Sequence, residues 1–126
     1  DSVCDALEEY FVKIESSNNN WMVMQVKKYI AKNFMKSLSV QFLSEEIHIS
    51  PTYLSSRFKE KTGESLTRYI NRVRVEKSKE LLRITDSKVY EIAEQVGYTN
   101  FTYYNRIFKK LTNMTPIEYK NKTGQL

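Results

Sequence analysis

The chain has 126 residues, 40% of them hydrophobic, with three glycines and two prolines; this is one domain, or two very small ones sharing an interface, with a real core and no disordered composition. A single cysteine, Cys4, and a single histidine, His48, exclude an internal disulfide and fall short of the roughly four ligands of a structural zinc site, and no apolar run approaches the roughly 18 residues of a membrane span. The formal charge of +5 is uneven: residues 1–20 carry Asp1, Asp5, Glu8, Glu9 and Glu15 against Lys13 alone, a local −4 that leaves +9 on the rest, a basic body suited to a phosphate backbone.

Residues 1–15 read as a short helix with Val3, Leu7, Phe11 and Ile14 on one face and an acidic remainder. About two heptads are too few for an independent coiled coil, so the segment belongs to whatever precedes it or packs on the body. Ser16 to Asn20 is a linker or a turn. The spacing then predicts a helix from Trp21 to Phe34, with Val23, Val26, Tyr29, Ile30 and Phe34 as its apolar stripe and Lys27, Lys28 and Lys32 off it. Ser39 caps a short helix, Val40 to Ile47, with Val40, Leu43 and Ile47 inward. Ser50 as N-cap and Pro51 at the first position start a longer helix that stops at Gly63.

The stretch from Ser65 to Ile84 contains neither Gly nor Pro. Leu66, Tyr69, Ile70, Val73, Leu81 and Leu82 give it one apolar face, and its twenty residues in α form span roughly 30 Å, close to the about 34 Å of one turn of B-DNA. Arg68, Arg72 and Arg74 are expected to make local salt bridges on this rod. Thr85 to Ser87 ends it and caps Lys88 to Val96, which turns inward Val89, Ile92, Ala93 and Val96. Gly97 to Asn100 is a second turn, Phe101 to Leu111 a second long helix, and Thr115-Pro116 starts a last helix, Ile117 to Lys122, ended by Thr123-Gly124.

The chain repeats itself. A shift of fifty residues superimposes Thr52 on Thr102, Tyr53 on Tyr103, Phe58 on Phe108, Lys59 on Lys109, Thr62 on Thr112 and Tyr69 on Tyr119. Ahead of the turn the shift is forty-nine, matching Leu43 with Ile92 and Glu45 with Glu94, so the second copy has one extra residue in its turn. Each copy is a short helix, a tight turn and a longer helix, the helix-turn-helix pattern. In such a motif the second helix enters the major groove and its N-terminal residues meet base edges. Gly97 suits the tight turn; His48 holds the matching place, where tolerance of positive φ is the expected role.

The sequence Ile49-Ser50-Pro51-Thr52-Tyr53-Leu54-Ser55-Ser56-Arg57-Phe58-Lys59, followed by Thr62-Gly63, resembles the first motif of the AraC/XylS transcription-regulator family. Tyr69 to Arg74 with Leu81-Leu82 resembles its linker helix. Ile92-Ala93-Glu94-Gln95-Val96-Gly97-Tyr98, Phe108-Lys109-Lys110 and Thr115-Pro116-Ile117-Glu118-Tyr119 resemble its second motif and closing signature. Ser44 and Ser78 stand where the family usually has Ala, and Asn113 where it usually has Gly. The acidic start is similar to the helical linkers ahead of this domain in response regulators. The resemblance implies an all-α fold: two helix-turn-helix subdomains joined by a long linker helix, about seven helices plus an N-terminal helical segment. The expected division is 1–20 as linker, 21–122 as tandem DNA-binding domain (21–64, 65–84 and 85–122), and 123–126 as tail.

The resemblance places Thr52, Ser55 and Ser56 on the exposed face of the first recognition helix, and Phe101, Thr102, Asn105 and Arg106 on that of the second. These faces lie opposite Leu54, Phe58, Tyr104 and Phe108. Arg106 fits guanine O6 and N7, or a phosphate; Asn105 fits adenine; Phe101 fits a thymine methyl, or packs on the turn. The first helix brings small hydroxyls, which bond to several base edges, so the second is expected to dominate sequence choice. Arg57 reaches a base, a phosphate, or covers apolar surface with its stem. Tyr53, Lys59, Lys88, Asn100, Tyr103 and Lys109 are the expected phosphate contacts, with the helix starts near Ser39 and Ser87. The expected activity is sequence-specific binding of double-stranded DNA at promoter sites and regulation of bacterial transcription in the cytoplasm, as an activator or response-regulator output. No catalytic residue, metal or cofactor is expected. RNA polymerase and a second copy, joined through a missing N-terminal domain or residues 1–15, are the other expected partners. The alternatives are a non-specific architectural DNA binder, a helical protein-interaction module, and a DNA-repair alkyl-transfer enzyme, whose activated thiol Cys4 in its acidic setting does not supply.

Overall fold

The computed structural model describes residues 20–123. The helix expected over 1–15, residues 16–19 of the linker and the stop at Gly124 lie outside the described residues. Among the described residues every regular element is helical: α1 (20–33), α2 (Val40–Glu46), α3 (Pro51–Thr62), α4 (Leu66–Ile84), α5 (Val89–Gln95), α6 (Phe101–Thr112) and α7 (Pro116–Thr123).

The helix starts follow from short polar side chains. Ser39, Ser50, Ser65 and Asn100 accept from the backbone N–H three residues on, at Phe42, Tyr53, Arg68 and Tyr103. Each cap satisfies a donor that the helix leaves free, worth about 1 kcal/mol. Thr115 and Glu118 cap α7 reciprocally: the Glu118 N–H donates to Thr115 Oγ1 at 3.2 Å and the Thr115 N–H to Glu118 Oε2 at 3.3 Å. Ser87 differs from expectation. The N-cap of α5 is Lys88, with no side-chain capping bond. The Ser87 N–H turns instead to Thr85 Oγ1, and its carbonyl accepts from Lys120 Nζ at 2.7 Å.

Both inter-helix turns have one hydrogen-bond pattern. After α2, the His48 N–H donates to the Glu45 carbonyl and the Ile49 N–H to that of Ser44; after α5, the Gly97 N–H donates to Glu94 and the Tyr98 N–H to Ala93. His48 and Gly97 hold the left-handed conformation this closure needs, with φ of 60° and 104°. The cap of the next helix comes two residues later at Ser50 but three residues later at Asn100, so Thr99 is the extra residue.

Two cores form. Met22, Val26, Ile30, Leu43, Leu54, Phe58, Leu66 and Ile70 make the first; Val75, Leu82, Ile92, Ala93, Val96, Tyr98, Tyr104 and Phe108 make the second. Helix α4 gives its N-terminal half to one and its C-terminal half to the other. Met22, outside the expected α1 stripe, is buried, while Val23, Tyr29 and Phe34 sit at the edge. Phe34 packs against both cores. Ser44 and Ser78 are buried, their hydroxyls donating back to the carbonyls of Gln41 and Val75, so close packing costs no unpaired polar group.

Candidate nucleic-acid interface

Helix α3 buries Leu54 and Phe58 and leaves Thr52, Ser55, Ser56 and Lys59 exposed on the opposite side. Tyr53 is exposed, with the Arg57 guanidinium 5.3 Å from its ring centre. Arg57 Nη1 also meets Glu60 Oε2 at 2.6 Å, which draws the guanidinium along the helix.

Helix α6 repeats the design with larger side chains. Tyr104 and Phe108 are buried, and Thr102, Arg106 and Lys109 are exposed. Phe101 is exposed, its ring centre 6.3 Å from that of Tyr104. The Asn105 amide donates to the Phe101 carbonyl at 3.0 Å, leaving its carbonyl oxygen available to a ligand. The Arg106 guanidinium lies 5.3 Å from the Tyr103 ring centre, which stiffens it without using its donors. Asn100 spends Oδ1 on the cap and keeps its amide group. Lys88 is exposed at the start of α5, its Nζ 6.0 Å from the Tyr90 ring centre. Tyr103 is half-buried and its hydroxyl accepts from Asn71 Nδ2 at 3.1 Å, which turns it toward α4.

Three residues that sequence reasoning missed tie the two halves together: Asn71, Arg74 and Tyr98. Asn71 is buried in α4 and accepts from the Tyr98 hydroxyl at 2.8 Å while donating to Tyr103. Arg74 corrects the expectation of a local salt bridge. It is buried, donates from Nε to the Phe34 carbonyl and from Nη2 to that of Lys36, both at 2.8 Å, and stacks 5.3 Å from the Tyr98 ring centre. Burial pulls the Arg74 pKa down and pushes the Tyr98 pKa up. Arg68 and Arg72 do pair locally, both with Glu64, at 3.6 and 2.6 Å. The missed signal is periodicity: positions 66, 70, 74, 78 and 82 form one ridge of α4, and Arg74 and Ser78 occupy its buried centre.

This frame brings two matched helix-turn-helix units onto one helix. A family model described as a helix-turn-helix domain matches residues 43–122, and the C-terminal domain of AraT, a response regulator from Geobacillus stearothermophilus, superimposes with a TM-score of 0.77 at 34% identity over 80% of this chain and 84% of that one. The chain belongs to the AraC/XylS family. This AraC/XylS domain is also 37% identical over 91 residues to the transcriptional regulatory protein YesN of Bacillus subtilis, covering 70% of this chain and 25% of that protein. The chain thus spans about a quarter of YesN's length. The DNA-binding domain of AdpA, solved in complex with a target DNA, shares the fold, with a TM-score of 0.75 at 20% identity over 79% of this chain and 90% of that one. No helix among the described residues is long and apolar enough to cross a membrane.

Proposed function

We propose that this domain binds double-stranded DNA sequence-specifically, with α3 and α6 in successive major grooves, and that it regulates transcription at promoter sites. The observation that carries the reading is the pairing of two like-built units on one uninterrupted α4. Its 19 residues span roughly 28 Å, near the about 34 Å groove repeat. Residues 21–64 and 85–122 are the two reading units and 65–84 the connector. Thr52, Ser55, Ser56, Phe101, Thr102, Asn105 and Arg106 meet base edges. Tyr53, Lys59, Lys88, Asn100, Tyr103 and Lys109 meet the phosphate backbone, Tyr103 keeping its bond to Asn71. The domain acts in the reducing cytoplasm and reaches RNA polymerase from the promoter.

Selection of bound sites from a random DNA pool, followed by a base-by-base scan of the winner, tests the reading. Two half-sites about one helical turn apart are expected, with the larger penalties in the one read by α6. Equal penalties in both would remove the dominance of α6. Equal competition by random DNA would favour the architectural alternative instead.

A further inference from the structure

Among the described residues Arg74 is the one charged side chain that is buried, at 9% exposure. Two of its guanidinium nitrogens are spent, Nε on the Phe34 carbonyl and Nη2 on that of Lys36. Nη1, with its own N–H donors, meets no acceptor among the described residues and keeps contact with solvent. No carboxylate among those residues pairs with the cation either. A buried charge is ordinarily matched by an opposite one. Arg74 has carbonyls on one edge and the Tyr98 ring on one face, and its charge stays uncompensated. Burial accordingly lowers its pKa.

The free nitrogen has a cleft to serve. A cavity of about 450 Å³ lies between the segment leaving α1 and the turn between α5 and α6, and Arg74 lines it. Its volume falls within the roughly 300–1,000 Å³ of small-molecule sites. Met35, Ser37 and Leu38 contribute from the first unit, Gly97, Tyr98 and Thr99 from the second. Gly97 leaves the guanidinium uncovered, since a Cβ there would lie 3.1 Å from Nε and 3.2 Å from Cζ. Met35 is exposed and Leu38 half-buried, so apolar surface adjoins the cation. Glu94 lines the same cleft and is exposed; its charge opposes a dianion more than a monoanion. None of these residues belongs to the exposed faces of α3 and α6.

We infer that this cleft binds a small monocarboxylate with an apolar body, the carboxylate accepting from Arg74 Nη1 and the body lying on Met35 and Leu38. Such a ligand touches the exit of α1 and the α5–α6 turn at once, so its occupancy ties the two units together. The inference rests on the setting of Arg74 and stands apart from DNA binding.

Hexanoate is the probe, titrated into the full 126-residue chain and followed by backbone amide NMR shifts. Shifts at Ser37, Leu38, Gly97 and Thr99 are expected to saturate together. Hexanol, which lacks the charge, and inorganic phosphate, which lacks the apolar body, should each bind about tenfold more weakly. Thr99→Glu brings a carboxylate to the cleft from an exposed position and should weaken hexanoate binding about tenfold, with circular dichroism retained. Asn121→Glu, which adds the same charge on α7, should leave the affinity unchanged. Glu94→Gln removes the opposing charge and should tighten binding about twofold. Shifts that never saturate, or hexanol or phosphate bound as tightly as hexanoate, would overturn the inference. So would Thr99→Glu binding no more weakly than Asn121→Glu, or Glu94→Gln binding no more tightly than the unaltered chain.

Discussion

Arg106 and Lys109 lie on the same helix three residues apart, yet different measurements separate their proposed roles. Arg106→Ala should cost about 1–3 kcal/mol in affinity and relax the preference at one base pair. Lys109→Ala, like Lys59→Ala, should weaken binding equally for all sequences and reduce the slope of log affinity against log salt by about 1. Filter binding or fluorescence anisotropy over a salt series, with the best site and single-base variants, distinguishes the two. A uniform loss in Arg106→Ala would reassign that residue to phosphate. The exposed place of Arg106 was legible because it lies on the face of α6 opposite the buried Tyr104 and Phe108. Arg74 was not, because the same side chain, four residues after Ile70 on a buried ridge, looks like another surface cation until its two carbonyl partners, Phe34 and Lys36, are seen. Those partners come from a segment about forty positions earlier, and no local pattern signals so distant a contact.

Among the elements, the turns make the sharpest comparison. His48 has φ of 60° without glycine's freedom, so His48→Gly should stabilise the protein by up to about 1 kcal/mol, read as a higher urea midpoint. Gly97→Ala should act in the opposite direction and more strongly. Its φ is 104°, and an added Cβ would lie 2.6 Å from the Phe34 carbonyl oxygen and 3.1 Å from Arg74 Nε. A midpoint unchanged in Gly97→Ala would show that the α5–α6 turn yields without cost. Helix positions, the one-residue difference between the turns and the left-handed Asn113 were all readable from spacing and residue type. The start of α5 was not: Ser87 has the right chemistry for a cap, but its backbone N–H and carbonyl are held by Thr85 and Lys120, and the cap position falls one residue later at Lys88.

At the scale of the whole molecule, the two cores meet along a narrow polar joint. Asn71 answers Tyr98 and Tyr103, and Arg74 answers the exit of α1. Asn71→Ala removes both side-chain bonds while leaving α3 and α6 intact. Binding to a site with both half-sites should fall about tenfold more than binding to either half-site alone, because the units then lose their fixed relation. Equal losses on whole and half sites would deny the joint that role. Alkaline pH probes the second core. Burial pushes the Tyr104 pKa up to about 12 from 10.0, so its hydroxyl stays neutral in the folded state after it would ionise in the unfolded one. The sign follows: this contribution is complete below pH 10 and is lost as pH rises toward 12. Urea midpoints should therefore decline over that interval, and less in Tyr104→Phe.

The two long helices also leave their units by the same hydrogen bonds. Thr62 Oγ1 donates to the Phe58 carbonyl and accepts from the Glu64 N–H, and Thr112 Oγ1 does the same with Phe108 and Met114. With a side-chain cap at the entry and a threonine clasp at the exit, each twelve-residue helix is a cassette with standard fittings. A chimera carrying the 101–112 sequence in place of 51–62 should keep its fold and select DNA in which one half-site occurs twice in tandem. New specificities would then arise by exchanging cassettes rather than by redesigning the frame.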